Sequence, residues 1–262
     1  MLRFSANLSM LYPEHAFLDR FDAAARDGFA GVEYLGPYAE QPEAIVERLQ
    51  ANGLKQVLFN LPSGDWAGGE RGLGALPDRV EEFRRGVDEA IRYAKRLGCE
   101  QVNCLAGIPR GGVAPETAED TLVANLGYAA PRLADAGVRL LLEPINPFDI
   151  AGFFVTGSAQ AIRILDRVNS DNLFLQYDFY HMQRIQGELL GNFKALLPRV
   201  AHVQIADNPG RNEPGTGEIN YSFIFDELER LGYTGWVGAE YKPRAGTSEG
   251  LGWLNAYRSA RA

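Results

Sequence analysis

Four oxygen-bearing side chains recur at one kind of place along this chain. Glu143 closes the run RLLLEP, and Asp178 closes FLQYDFYH, with His181 three residues on. Gln204 lies in AHVQIAD beside Asp207, and Glu240 lies in WVGAEYKP. Each follows an apolar stretch, and successive members are separated by about one βα unit. An isolated acid at a strand end usually caps a helix or pairs with a base. Glu143 precedes Pro144, and Glu240 precedes Tyr241-Lys242, so a local ion pair would explain either one alone. Repetition over four successive strands points instead to convergence, because parallel barrel strands gather their C-terminal ends at one mouth. Three carboxylates brought together without a cation would repel and raise one another's pKa. A divalent ion removes that cost. Carboxylates with an amide oxygen suit Mg²⁺ or Mn²⁺, whereas Cys and His ligands would favour Zn²⁺. Glu143, Asp178, Gln204 and Glu240 are therefore the candidate metal ligands.

Around them stand candidates for binding. His181, expected in the loop after Asp178, is placed to contact a ligand. His202 precedes Gln204 by two residues and should face the same way one layer deeper, as core support. His15 is expected to be solvated. Two long Gly-rich segments, Ser63–Pro77 and Asn208–Asn220, read as lids or substrate walls. Trp66 in the first could exclude water. Arg211 in the second could fork onto a substrate carboxylate, with Glu213 or Glu218 as its competing partners. GxxxxGK[ST], a strand-linked GxGxxG, GxSxG and HExxH are all absent, so nucleotide-phosphate, serine-nucleophile and zincin chemistry have no local signature.

The positioning elements follow from periodicity. Apolar runs at Leu2–Leu8, Gly31–Leu35, Lys55–Leu61, Gln101–Leu105, Val138–Glu143, Leu173–Asp178, Val200–Ile205 and Trp236–Glu240 read as strands covered on both faces. Amphipathic stretches separate them: Phe17–Gly28, Glu43–Asn52, Arg79–Leu97, Thr117–Ala136, Ala159–Val168, Glu188–Leu197 and Ser222–Leu231, with a weakly patterned eighth at Ser248–Arg261. Gly28, Gly53, Gly98, Gly137 and Gly232 each stand where a left-handed residue would end a helix before the next strand. Eight βα units in 262 residues, with no linker-like segment, predict an α/β fold: a single (β/α)₈ TIM barrel over residues 1–262. A doubly wound open sheet is the alternative that alternation alone does not exclude.

Composition narrows the function. The net charge of −8 offers no general attraction to nucleic-acid phosphates or anionic lipid. No apolar run approaches the ~18 residues of a membrane span, and the opening MLRFSANLSMLYPEH does not read as a secretory leader. A cytoplasmic location is the expectation. Cys99 and Cys104, in one strand, would lie roughly 16 Å apart, far beyond disulfide reach, and read as small buried apolar groups.

The motifs Glu143-Pro-Ile-Asn, Asp178-Phe-Tyr-His181, HVQIADNPGRNEPGTGEINY and Gly238-Ala-Glu240-Tyr-Lys-Pro resemble the hydroxypyruvate isomerase family of the xylose-isomerase-like TIM barrels. The opening FSANLSMLY and the loop LFNLPSGDWAGGERG extend the resemblance over essentially the whole chain. It implies divalent-cation ligation by Glu143, Asp178, Gln204 and Glu240, with Gln204 where the related ketose 3-epimerases carry His. It also implies that Glu143 and Glu240 are the catalytic pair, and it suggests a role in glyoxylate metabolism. The implied reaction interconverts hydroxypyruvate and tartronate semialdehyde through an enediolate. His181 would then stabilise a substrate oxygen, and Arg211 or Lys242 would bind the substrate carboxylate. A 2-oxo-tetronate isomerase or a ketose 3-epimerase would use the same site. A barrel endonuclease would need several His for a zinc cluster, and this chain has three His in all. A non-catalytic binding barrel is the remaining alternative. The expected partner is a small hydroxy-oxoacid or sugar-like substrate, with no nucleic acid and no membrane. Assembly state is open, a homo-oligomer included.

Overall fold

Strands that are apolar on both faces need cover on both sides, and a closed parallel sheet wrapped by helices supplies it. The computed structural model describes residues 1–261 and shows that solution. Eight strands, β1 (Arg3–Asn7), β2 (Gly31–Tyr34), β3 (Lys55–Asn60), β4 (Gln101–Cys104), β5 (Arg139–Leu142), β6 (Leu173–Asp178), β7 (Val200–Ile205) and β8 (Trp236–Ala239), form a closed barrel in chain order. The open-sheet alternative is thereby excluded. The helices are α1 (Arg20–Arg26), α2 (Pro42–Asn52), α3 (Val80–Leu97), α4 (Pro115–Asp135), α5 (Ser158–Val168), α6 (Phe179–Ile185), α7 (Leu189–Leu196), α8 (Tyr221–Arg230) and α9 (Gly252–Ser259).

Packing divides the chain into two compact units. One comprises Met1–Tyr34, Ala44–Val57 and Tyr177–Ala262; the other comprises Leu35–Glu43 and Leu58–Gln176. In the first, β1 pairs with β2 (Asn7 opposite Glu33) and with β8 (Ser5 opposite Gly238), while β7 places Gln204 opposite Gly238. Beneath α8 and α9, Phe4 meets the rings of Phe225, Trp253 and Tyr257 edge-on at centroid distances of 5.4, 5.3 and 5.0 Å. Such aromatic pairs add about 0.5–1.5 kcal/mol each beyond the area they bury.

In the second unit, β4 pairs with β3 (Val102 opposite Phe59) and with β5 (Asn103 opposite Leu141). The helical period of α3 buries Phe83, Val87, Ala90 and Ala94 on one face, and α4 contributes the fully buried Leu122, Leu126, Ala129 and Leu133. Gly98 ends α3 at φ 64, donating its N–H to the Ala94 carbonyl. An L residue pays a steric penalty in that conformation that glycine avoids.

Two local expectations change. His181 sits on a short helix, α6, rather than in a loop. Asp178 ends β6 and immediately caps α6, accepting from the N–H groups of Tyr180 and His181 at 2.8 and 3.4 Å. Strand passes to helix with no Gly or Pro between them, so no turn signal marks the start. The weakly patterned C-terminal segment resolves into a 3₁₀ turn at Ser248–Gly250 and then α9. Both cysteines are free and buried. Among the described residues, no helix is long and apolar enough to cross a membrane.

Candidate active site

Strand chemistry places the acids. Glu143 and Glu240 each follow the last residue of an apolar strand, β5 and β8, so their backbones are held by the sheet while their side chains reach its C-terminal end. Both are 5% exposed. On the β5 side, Asn103 Nδ2 donates to Glu143 Oε2 at 3.2 Å and to Asn60 Oδ1 at 3.1 Å. On the β8 side, Glu240 Oε1 accepts from Asn7 Nδ2 at 3.0 Å, and its Oε2 accepts from Arg211 Nη2 at 2.7 Å. The arginine is thus paired with Glu240. Its backbone takes φ 54, and its carbonyl accepts from Lys242 N–H at 2.7 Å, which turns the guanidinium to Glu240 and over the Tyr180 ring at 5.2 Å. The Lys242 side chain is exposed.

Glu143, Asp178, His181 and Glu240 each offer a ligand atom within 4.8 Å of the others, and all four are buried. Three of the four expected ligands thus belong to one group, and His181 joins them. Gln204 lies on β7, 2% exposed, with its Nε2 donating to Glu33 Oε1 at 2.8 Å. His202 is fully buried below it, with Nε2 at 3.0 Å from Glu33 Oε2, in the supporting role expected of it.

The electrostatics fit a cation. Burial, together with the charges of Asp178 and Glu33, raises the Glu240 carboxyl to about 7, although Arg211 opposes this. Burial and the nearby Arg211 and Arg184 push the His181 imidazole well below its ordinary range, keeping it a neutral donor set for an ion or an oxygen. Crowded carboxylates with a neutral imidazole, withdrawn from water, are a donor set that could hold a divalent metal ion.

The loops are more tightly held than their glycines suggest. Asp207 accepts from the N–H groups of Gly215, Thr216 and Gly217 through Oδ2, and from Asn208 and Ile219 through Oδ1. Its carboxylate thereby knits the Asn208–Asn220 segment. In the Ser63–Pro77 segment, Gly72 N–H donates to Ser63 and Gly74 N–H to Leu105. Trp66 is 39% exposed, with the Arg71 guanidinium 4.2 Å from its ring.

Three polar residues were not legible as site components: Asn7, Glu33 and Asn103. Glu33 is the lone charged residue of β2, while Asn7 shares β1 with Arg3 and Ser5 and Asn103 shares β4 with Gln101, so none stands out as a site residue in its strand. The available signal was parity, since Asn7, Glu33 and Asn103 occupy inward positions of β1, β2 and β4.

Residues 21–257 match the xylose isomerase-like TIM barrel family model. Hydroxypyruvate isomerase of Escherichia coli (strain K12) is 52% identical over 98% of this chain and 100% of its own length. A 2-oxo-tetronate isomerase of Cupriavidus necator is 46% identical over 98% of this chain and 99% of its own. The crystal structure of a Brucella melitensis protein described as an AP endonuclease, family 2, superposes with a TM-score of 0.96 at 44% identity, covering 98% of this chain and 99% of that one. With the closed barrel and the buried acids at its strand ends, these full-length matches establish that the chain belongs to the hydroxypyruvate isomerase family of xylose isomerase-like TIM barrels, and that it is an isomerase.

Proposed function

We propose that this isomerase interconverts hydroxypyruvate and tartronate semialdehyde, with Glu143 and Glu240 as the proton-transfer pair. The observation that carries the reading is the buried group of Glu143, Asp178, His181 and Glu240. One glutamate removes a proton from C3, beside the C2 carbonyl, leaving a cis-enediolate. Protonation at C2, with transfer of a proton from the C3 oxygen to the C2 oxygen, completes the exchange of hydroxyl and carbonyl. The opposing glutamate serves as the acid.

Glu143, Asp178, Gln204 and Glu240 would hold a divalent cation, Mg²⁺ or Mn²⁺. When bound, the ion supplies electrostatic stabilisation for oxygens that gain negative charge. His181, neutral and buried, donates to a substrate oxygen or completes the ligand set. Arg211 sits on Glu240, where it orients the carboxylate and presents the rest of its fork to a substrate carboxylate. Lys242, on the exposed rim, draws the anionic substrate inward. The same reading places the enzyme in the cytoplasm, acting on a small hydroxy-oxoacid.

A second reading, 2-oxo-tetronate isomerisation, is favoured by the relatives of that name at 46% and 44% identity. The family's endonuclease chemistry has less support here, since the buried group contains a single histidine and the net charge is −8.

One assay separates these readings. Metal-stripped protein is offered hydroxypyruvate and a four-carbon 2-oxo-tetronate, with Mg²⁺ and Mn²⁺ restored separately. Turnover of hydroxypyruvate that returns with the ion, and that falls about 10²–10⁴-fold in Glu240→Gln, is the expected outcome. Turnover of the four-carbon acid alone moves the assignment to the second reading. Full activity in Glu240→Gln removes that residue from catalysis.

A further inference from the structure

Glu33 lies outside the buried group of Glu143, Asp178, His181 and Glu240, yet it is fully buried and well supplied with donors. Its two oxygens face different neighbours. Oε2 accepts from Ser5 Oγ at 2.7 Å and lies 3.0 Å from His202 Nε2. Oε1 accepts from Gln204 Nε2 at 2.8 Å and lies 3.4 Å from Asn7 Nδ2. Asn7 Nδ2 also donates to Glu240 Oε1 at 3.0 Å. One half of the carboxylate is thus anchored by Ser5 and His202, and the other half reaches the proposed centre directly at Gln204 and, through Asn7, at Glu240.

The backbone makes room for this arrangement. A Cβ on Gly238 would lie 2.3 Å from Glu33 Oε1 and 2.4 Å from Oε2, closer than any side chain tolerates. Glycine between the β7 and β1 partners is what lets the carboxylate occupy that position.

A glutamine side chain has two nearly isosteric faces, and only its carbonyl oxygen can bind a cation; its NH₂ group would repel one. An ionised carboxylate accepts and never donates. Held against Glu33, the Gln204 amide must direct its nitrogen downward and keep its oxygen for the other side. We propose that Glu33 is a positioning residue that selects the metal-binding orientation of Gln204 and, through Asn7, steadies Glu240. This rests on the reading of Gln204 and Glu240 as parts of a cation centre. Imidazole at position 204 would not need such a partner to choose between oxygen and nitrogen; an amide does.

The test is binding of Mn²⁺ alone to the metal-stripped full-length protein, followed by the electron paramagnetic resonance signal of the free ion. Groups that orient ligands commonly contribute 10–100-fold to metal affinity, so Glu33→Gln should weaken Mn²⁺ binding by at least tenfold. Gln204→Met should weaken it comparably. The double variant should be little worse than either single one, because residues acting through one interaction are non-additive. Ser5→Ala, which removes a donor from the anchored oxygen only, should retain affinity within about threefold. Should Glu33→Gln fail to fold, Glu33→Asp carries the same test, since one methylene less withdraws the carboxylate from Gln204 while keeping its charge.

Wild-type affinity in the folded Glu33 variant, or additive losses in the double variant, would overturn the inference and leave the function proposal standing. A wild-type protein that binds no Mn²⁺ would overturn the cation centre and this inference together.

Discussion

Glu240 concentrates the chemistry of single residues. Burial, with Asp178 and Glu33 nearby, raises its carboxyl from 4.5 to about 7, against the pull of Arg211. In metal-free protein the unfolded chain gives up this proton near 4.5 while the folded chain keeps it to about 7. Stability from this group is therefore present below about 4.5 and declines as pH rises through 7, by up to about 3 kcal/mol. A bound cation reverses the sign, since ligation needs the deprotonated carboxylate. The melting-temperature gain on adding Mn²⁺ should accordingly be small at pH 5.5 and larger at pH 8, as read by differential scanning fluorimetry. Equal gains at both values would mean that Glu240 does not exchange its proton for the ion. At this scale the acids at 143, 178 and 240 were legible, because each closes an apolar run. Glu33 was not, because a lone acid in GVEY looks like an ordinary outward-facing strand residue until the barrel closes around it.

Elements were legible almost to the residue, since the period of two or of 3.6 is set locally. Helix ends were marked by glycine, and two glycines show how differently the residue can be required. Gly98 takes φ +64 with nothing within 4 Å of a built Cβ, so Gly98→Ala should cost about 1 kcal/mol of backbone strain and leave turnover unchanged. Gly238 meets Glu33 oxygens at 2.3 and 2.4 Å, so Gly238→Ala should cost about 2–3 kcal/mol through overpacking and reduce Mn²⁺ affinity as well. Urea unfolding of the two variants beside Mn²⁺ titration checks both; a site-neutral Gly238→Ala would contradict the packing. The element that escaped sequence reading was α6, because Asp178 serves as strand end and helix cap at once. That double role leaves no intervening turn to see.

At the scale of the whole molecule, the two ends of the chain are fastened through α8. Glu229 accepts from Tyr257 Oη at 2.6 Å and from Arg261 Nε at 2.7 Å, and lies 3.3 Å from the Met1 amino group. Partial burial opposes ionisation, but these donors outweigh it and lower the carboxyl to about 2. The resulting stability is complete above the ordinary carboxylate value near 4.5 and is lost as pH falls through about 2. Solvent screening reduces its size, so Glu229→Gln should destabilise the protein by about 1–2 kcal/mol at pH 7. In denaturant titrations the gap between wild type and variant should narrow by pH 3. A gap that stays constant with pH would mean the Glu229 charge contributes nothing.

Sequence alone determined the order and type of all the elements but α6 and which acids end their strands, and it narrowed the fold to a barrel or an open sheet, because periodicity, helix-stop glycines and strand-end positions are local properties; closure was decided by the tertiary structure. Tertiary structure decided the partnerships. Arg211 faces Glu240 because a left-handed backbone and a bond from Lys242 aim it there. Glu33 meets Gln204, 171 positions away in the chain, because closure sets β7, β8, β1 and β2 side by side. No local pattern encodes a contact between residues so distant; it exists only once inward-facing side chains share one interior.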